Sequence, residues 1–212
     1  MPDNYEKLEN NYHILELLNE KWPRNGDRLF LPGGDAWLAQ DPRERRYRLA
    51  KGYKRSGDVL IQRTVNDLSD RHNLVYPIIF CYRHYIELAL KAMIVDYGPW
   101  KGINSTRMGH DLIFLWNQFK KIAEIYGGHN PTDMAAVESY IVEFNEFDPG
   151  SFSLRYATNT QDKLIVFPIS SINLINLYEV MNGVENFFEC ADLHFNSTMD
   201  LENDLLVAGI YT

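Results

Sequence analysis

Arg83, His84, Glu87 and Lys91 are the residues whose types and spacing are best suited to chemistry. At helical pitch Arg83, Glu87 and Lys91 fall in one row, with His84 beside it. An imidazole next to a carboxylate can accept or donate a proton near neutral pH, and flanking cations can hold a phosphate. The same row has a structural reading. Glu87 precedes Lys91 by four residues, the favoured orientation for a helical ion pair, and charges on an apolar helix must be paired or used. A second candidate is His110, in Gly109-His110-Asp111, read either as a residue at a helix start or as a catalyst. A third is Arg155, an arginine in the apolar, extended run Ser153-Leu154-Arg155-Tyr156. It is expected to anchor that run on a buried carboxylate, with Glu87 the first choice of partner. The fourth is a basic segment formed by Arg43, Arg45, Arg46, Arg48, Lys51, Lys54 and Arg55, interrupted by the single acid Glu44. Its charges point all round a helix, so a solvated helix explains it more readily than a phosphate-binding surface.

Other chemistries have no support in the sequence. There is no G-x-G-x-x-G after a strand, no G-x-x-x-x-G-K and no G-x-S-x-G. The six histidines and two cysteines make no short-spaced ligand pair, so neither a metal nor a cofactor is expected. Cys81 and Cys190 read as small buried hydrophobes of a reducing compartment. The net charge of −8 opposes nucleic-acid binding through the whole surface. No Lys or Arg follows Lys163, while seven acids do, so the basic segment and the acidic C-terminal part can pair within one chain or across a dimer. The N-terminus lacks a signal-peptide pattern and no apolar run is long enough to span a bilayer, which together predict a soluble, cytoplasmic protein without membrane contact.

The elements that must position these residues are helices. The central one is the stretch from Leu74 to Asp96, with Pro77 expected in its first turn. Val75, Ile79, Tyr82, Ile86, Ala89, Met93 and Tyr97 share one face, and Cys81, Tyr85, Leu88 and Ala92 form another. Apolar on two sides, it must be surrounded by other helices. Before it, an amphipathic helix is expected over Asn4 to Lys21, then a Gly/Pro-rich crossing, then a long helix opened by Asp41-Pro42. Ala50, Tyr53, Gly57, Leu60, Thr64 and Leu68 supply the seam of that helix, which should pack antiparallel to the central one. After it, Asp111 and Asn130-Pro131 open two further helices, and Ser170 or Ser171 caps a last long one. A hairpin or extended chain is expected between Phe152 and Val166, and a short helix and tail after Ser197. The fold class is therefore an all-α antiparallel bundle in a single domain, residues 1–212. Its core covers about 42–193, preceded by a helix and loop (1–41) and followed by an acidic tail (194–212).

The order of blocks resembles the HEPN-domain family. Those blocks are Pro-x-x-x-x-x-Arg-His-x-x-Glu-Leu-x-Leu-Lys at Pro77 to Lys91, His-Asp-Leu-x-x-Leu-Trp at His110 to Trp116, and Arg155-Tyr156. The resemblance covers roughly residues 45 to 193 and implies a helical bundle, commonly dimeric. It also implies a place in a bacterial stress, toxin–antitoxin or antiphage system, where many members are metal-independent ribonucleases, often beside a minimal nucleotidyltransferase antitoxin. The family's ribonuclease signature, Arg followed after four to six residues by His, is absent from this chain. The expectation is therefore a dimeric binding, scaffold or sensor component linked to RNA or nucleotides and to a protein partner encoded nearby. The alternative is a ribonuclease in which His84 or His110 moves protons and Arg83 or Arg155 holds the phosphate.

Overall fold

The computed structural model describes residues 29, 30, 36–103 and 108–209, and among these Asp41 and Pro42 start the first helix. The chain divides into two units, 1–38 and 39–212. The expected helix over Asn4 to Lys21 lies outside the described residues. Among its described residues the second unit has five α-helices: α1 Pro42–Asn66, α2 Arg71–Tyr97, α3 Leu112–Tyr126, α4 Pro131–Phe147 and α5 Leu174–Val207. Among the described residues there is no strand, and the segment expected as a hairpin holds one isolated antiparallel bridge, Thr158 to Leu164. The fold is all-α.

Local chemistry sets the helix starts. Asp41 accepts the Glu44 N–H, Asp111 accepts those of Ile113 and Phe114, and Asn130 that of Thr132, each satisfying donors that a helix N-terminus leaves unpaired. The last helix starts later than expected. Asn173, not Ser170 or Ser171, caps α5, by accepting the N–H groups of Ile175 and Asn176. α5 then runs unbroken to Val207, through residues expected to form a short helix and tail. The central helix starts earlier than expected. A short 3₁₀ turn, Leu68–Asp70, leads into Arg71, which leaves Pro77 inside α2 at its second turn. The turn of helix before Pro77 is mostly exposed, so the backbone bond that proline cannot make is lost near solvent and not in the core.

α1 and α2 pack antiparallel. Arg43 reaches Tyr97, Asp58 meets Tyr82, and Arg71 reaches the Thr64 carbonyl, pairs whose numbers converge toward the connecting turn. Gly57 allows the close approach: a Cβ there would fall 2.6 Å from Cε1 of Tyr82. Ala50, Ile61 and Thr64 of α1 are buried in or beside this seam, whereas Leu68 is exposed, since the helix has already ended. α2 is buried on nearly its whole circumference, from Ile78 to Tyr97. Trp116 and Phe119 of α3 and Phe188 and Phe195 of α5 complete an aromatic core against it. Of the cysteines, Cys81 lies in this core, and Cys190 is exposed on α5.

Candidate functional site

The row on α2 faces the start of α3 and the end of α4. Arg83 is wholly buried and spends its donors on three targets. Nη1 binds Glu87 Oε2 at 3.0 Å, Nη2 donates to the His110 carbonyl at 2.8 Å, and Nε donates to the Asp148 carbonyl at 2.9 Å. The Asp148 carboxylate stands 3.5 Å from Nε through Oδ2, while its Oδ1 accepts the N–H groups of Phe152 and Ser153. Arg83 thus pins the entrance of α3 and the exit of α4 to the middle of α2, and its complete burial keeps it from a ligand phosphate.

Glu87 is the centre of the cluster. Its Oε1 receives Lys91 Nζ at 2.8 Å and His110 Nδ1 at 2.9 Å, while Oε2 takes the guanidinium. Burial pushes the Glu87 carboxyl upward, but the Lys91 ammonium and the His110 imidazole outweigh it and hold the group below the usual carboxylate range. With Nδ1 engaged by a carboxylate, the neutral His110 ring carries its proton there and leaves Nε2 as the basic nitrogen. The His110 side chain is 58% exposed, so an imidazole oriented from behind is offered to solvent. Lys91 is partly exposed beside it.

His84 lies on the adjoining surface of α2, half-buried between rings. Tyr53 meets it edge-on at 4.4 Å and Phe80 stacks on it at 5.5 Å. Burial, the largest influence, keeps the His84 imidazole below its ordinary pKa, with Lys91, Arg83 and His110 acting in the same direction against Glu87. Its Nδ1 is buried without a hydrogen-bond partner.

Arg155 corrects one expectation. It does not reach Glu87. Its Nε donates to the Ser151 carbonyl at 2.6 Å, and its guanidinium lies 5.9 Å from the Phe80 ring centre and 5.7 Å from that of Tyr156. The short turn after Asp148, where Ser151 takes φ 56°, exposes Arg155 over aromatic faces instead of burying it. The result is a surface strip of Tyr53, His84, Phe80, Arg155 and Tyr156 running next to the His110–Lys91 pair.

The basic segment is elsewhere and is largely spent on the chain itself. Lys51 binds Glu185 and Glu189, and Lys54, fully buried, is held by Asp58, Asn182 and Glu185. Arg46 pairs with Asp96, Arg43 bonds Tyr97 and Asn196, Arg48 pairs with Glu44, and Arg45 donates to the Ala39 carbonyl. Among the described residues only Arg55 of this run has no such partner. The pairing between the basic segment and the acidic last helix is therefore made within the chain.

Sequence reasoning misses Asp148, which reads only as part of a turn, and the roles of Tyr53 and Phe80 around His84. The i, i+4 spacing of Tyr53 with Gly57 on the α1 seam holds the available clue; for Asp148 there is no local signal. Among the described residues no three of His, Cys, Asp and Glu stand close enough to share a metal ion, and no helix is long and apolar enough to cross a membrane. Comparison of the chain with protein-family models, with curated proteins and with solved structures gives no match.

Proposed function

We propose that this chain is a HEPN-like binding component of a bacterial stress, toxin–antitoxin or antiphage system, and that it contacts RNA or a nucleotide through the His110–Lys91–Arg155 face. The observation that carries the reading is His110, oriented by a buried carboxylate, exposed beside Lys91, and bordered by an aromatic strip that ends in an exposed arginine. Flat rings take a base by stacking, and a guanidinium with an imidazole takes a phosphate. A net charge of −8 requires such contact to be local, and the paired basic segment does not provide it. In the cell the chain acts as a homodimer beside a protein partner, as the resemblance implies. Fluorescence anisotropy with labelled single-stranded RNA and with ATP tests the face. Binding that weakens at least tenfold in His110→Ala and in Arg155→Ala is expected, and binding unchanged in both variants would refute the proposal. Light scattering at micromolar concentration tests the dimer.

The Glu87–His110 pair favours one second reading, a metal-independent ribonuclease. His110 Nε2 would take the 2′-OH proton as O2′ bonds to phosphorus, and the P–O5′ bond would break as an acid protonates the leaving oxygen. The difficulty is the acid. His84 is kept neutral by burial and Lys91 is engaged by Glu87. The binding reading therefore ranks first. Mass spectrometry of an incubated oligoribonucleotide separates the two, because a 2′,3′-cyclic phosphate product requires cleavage.

A further inference from the structure

α4 and α5 present facing stripes that do not close on each other. On α4 the stripe is Asp133, Ala136, Val137, Tyr140, Glu143 and Phe144, and on α5 it is Leu177, Val180, Gly183, Phe187, Cys190 and His194. Between them run two cavities of ≈ 500 and ≈ 490 Å³ that adjoin at Tyr140 and together follow the two stripes as a groove. At 1.5 Å per residue each stripe is about 17–26 Å long, the length of a helix of roughly three to five turns.

Two further observations say what fits. The first is charge. α4 and α5 contain no Lys or Arg, and Asp133, Glu143, Glu146 and Glu179 are exposed on them without an ion-pair partner among the described residues. The second is Gly183, the tenth residue of a 34-residue helix and well inside it. Glycine there weakens the helix, and nothing lies within 4 Å of where its Cβ would be. Gly57 is needed by Tyr82 of the same chain; among the described residues nothing requires Gly183, and it leaves the groove floor open to a close approach.

We propose that this groove binds an amphipathic helix of a partner protein, apolar along one ridge and rich in Lys and Arg on its flanks. Helix-in-groove recognition places i, i+3, i+4 and i+7 side chains on an apolar floor, here Val137, Tyr140, Phe144, Val180 and Phe187. The acidic rims select basic flanks and repel phosphate, so nucleic acid and anionic lipid do not fit. A second copy fits poorly too, since its α4 and α5 are equally acidic and most basic residues of its α1, Lys51, Lys54 and Arg46 among them, are already paired within their own chain. The groove shares no residue with the His110 face, so the two proposals stand or fall separately.

The test uses the full chain and two designed 16-residue helical peptides with one apolar ridge, one flanked by Lys and Arg, the other by Glu. Fluorescence anisotropy should show the basic peptide binding at least tenfold more tightly than the acidic one, and less tightly as salt rises. Gly183→Trp, which fills the groove where there is room for a side chain, should cut basic-peptide binding at least tenfold while thermal melting stays within a few degrees. Asp133→Lys/Glu143→Lys should reduce the preference for the basic peptide without filling anything. Three results would overturn the proposal: no binding of the basic peptide, equal binding of both peptides, or binding indifferent to Gly183→Trp. A dimer that dissociates in Gly183→Trp would also overturn it, by giving the groove to a second copy.

Discussion

Removing the Glu87 carboxylate tests the logic of the whole cluster. In Glu87→Ala the Arg83 guanidinium, wholly buried, loses its 3.0 Å partner and keeps two backbone carbonyls and, as its one carboxylate neighbour among the described residues, Asp148 at 3.5 Å. Lys91 and His110 lose an acceptor as well, but both can turn to water. Breaking a buried pair from one side costs about 3–5 kcal/mol. For a chain of this size 1 kcal/mol moves Tm by about 2–4 °C, so the variant should melt roughly 6–20 °C below the parent. Circular dichroism melts and urea titrations measure this. The pH dependence adds a second readout. Because the folded Glu87 pKa is depressed, its stabilisation is complete above the unfolded value near 4.5 and is lost as pH falls through the lower folded value. Glu87→Ala should lack that part of the acid sensitivity. A double-mutant cycle with Arg83→Met should show positive coupling, since Arg83→Met removes the buried cation that Glu87→Ala strands and leaves Asp148 held by the Phe152 and Ser153 N–H groups. A Glu87→Ala protein melting within about 3 °C of the parent at neutral pH would refute the reasoning.

His110→Ala removes one bond from a side chain that is more than half exposed, so it should cost about 1–2 kcal/mol and leave the far-UV spectrum unchanged while ligand binding falls. Lys54→Met should destabilise by about 3 kcal/mol although it adds no polarity, because Asp58 would lose its cation and Glu185 would keep only Lys51; thermal melts check it. Gly57→Ala should destabilise by about 1–3 kcal/mol despite better helix propensity, since its Cβ would strike Tyr82. Gly52→Ala, with open space at its Cβ, should instead stabilise by about 0.5–1 kcal/mol, and urea midpoints of the two variants should move in opposite directions.

Much of the fold was legible because its signals are local. The caps at Asp41, Asp111 and Asn130 and the two apolar faces of the central helix each act within a turn or two of sequence, as does the Glu87–Lys91 pair. The structural nature of Arg83 was also legible, since an arginine between two apolar faces has to be paired. Its partners were not. His110 and Asp148 reach Arg83 through their backbone carbonyls, and any residue carries a carbonyl, so no side-chain pattern marks them. Arg155 misled for a related reason: its apolar neighbours suggested burial, but Leu154 alone turns inward while Arg155 and Tyr156 stay outside. The start of α5 was misplaced because Ser170, Ser171 and Asn173 are all good caps, and only packing chooses among them.

The Arg83 joint also has a consequence in time. Glu87 lies on the same helix between Arg83 and Lys91 and can meet both as soon as that helix forms, but the His110 and Asp148 carbonyls lie 27 and 65 residues beyond Arg83 along the chain. While the chain emerges from its N-terminus, the charged row is therefore completed in stages, first within one helix, then against the entrance of α3, and last against the exit of α4. Until that last stage a helix apolar on two sides carries a hydrated charge stripe, which opposes premature association with other chains. The same stripe becomes a lock only when the end of α4 arrives, so closing it marks a late, long-range step of folding, governed by loop closure and not by helix formation.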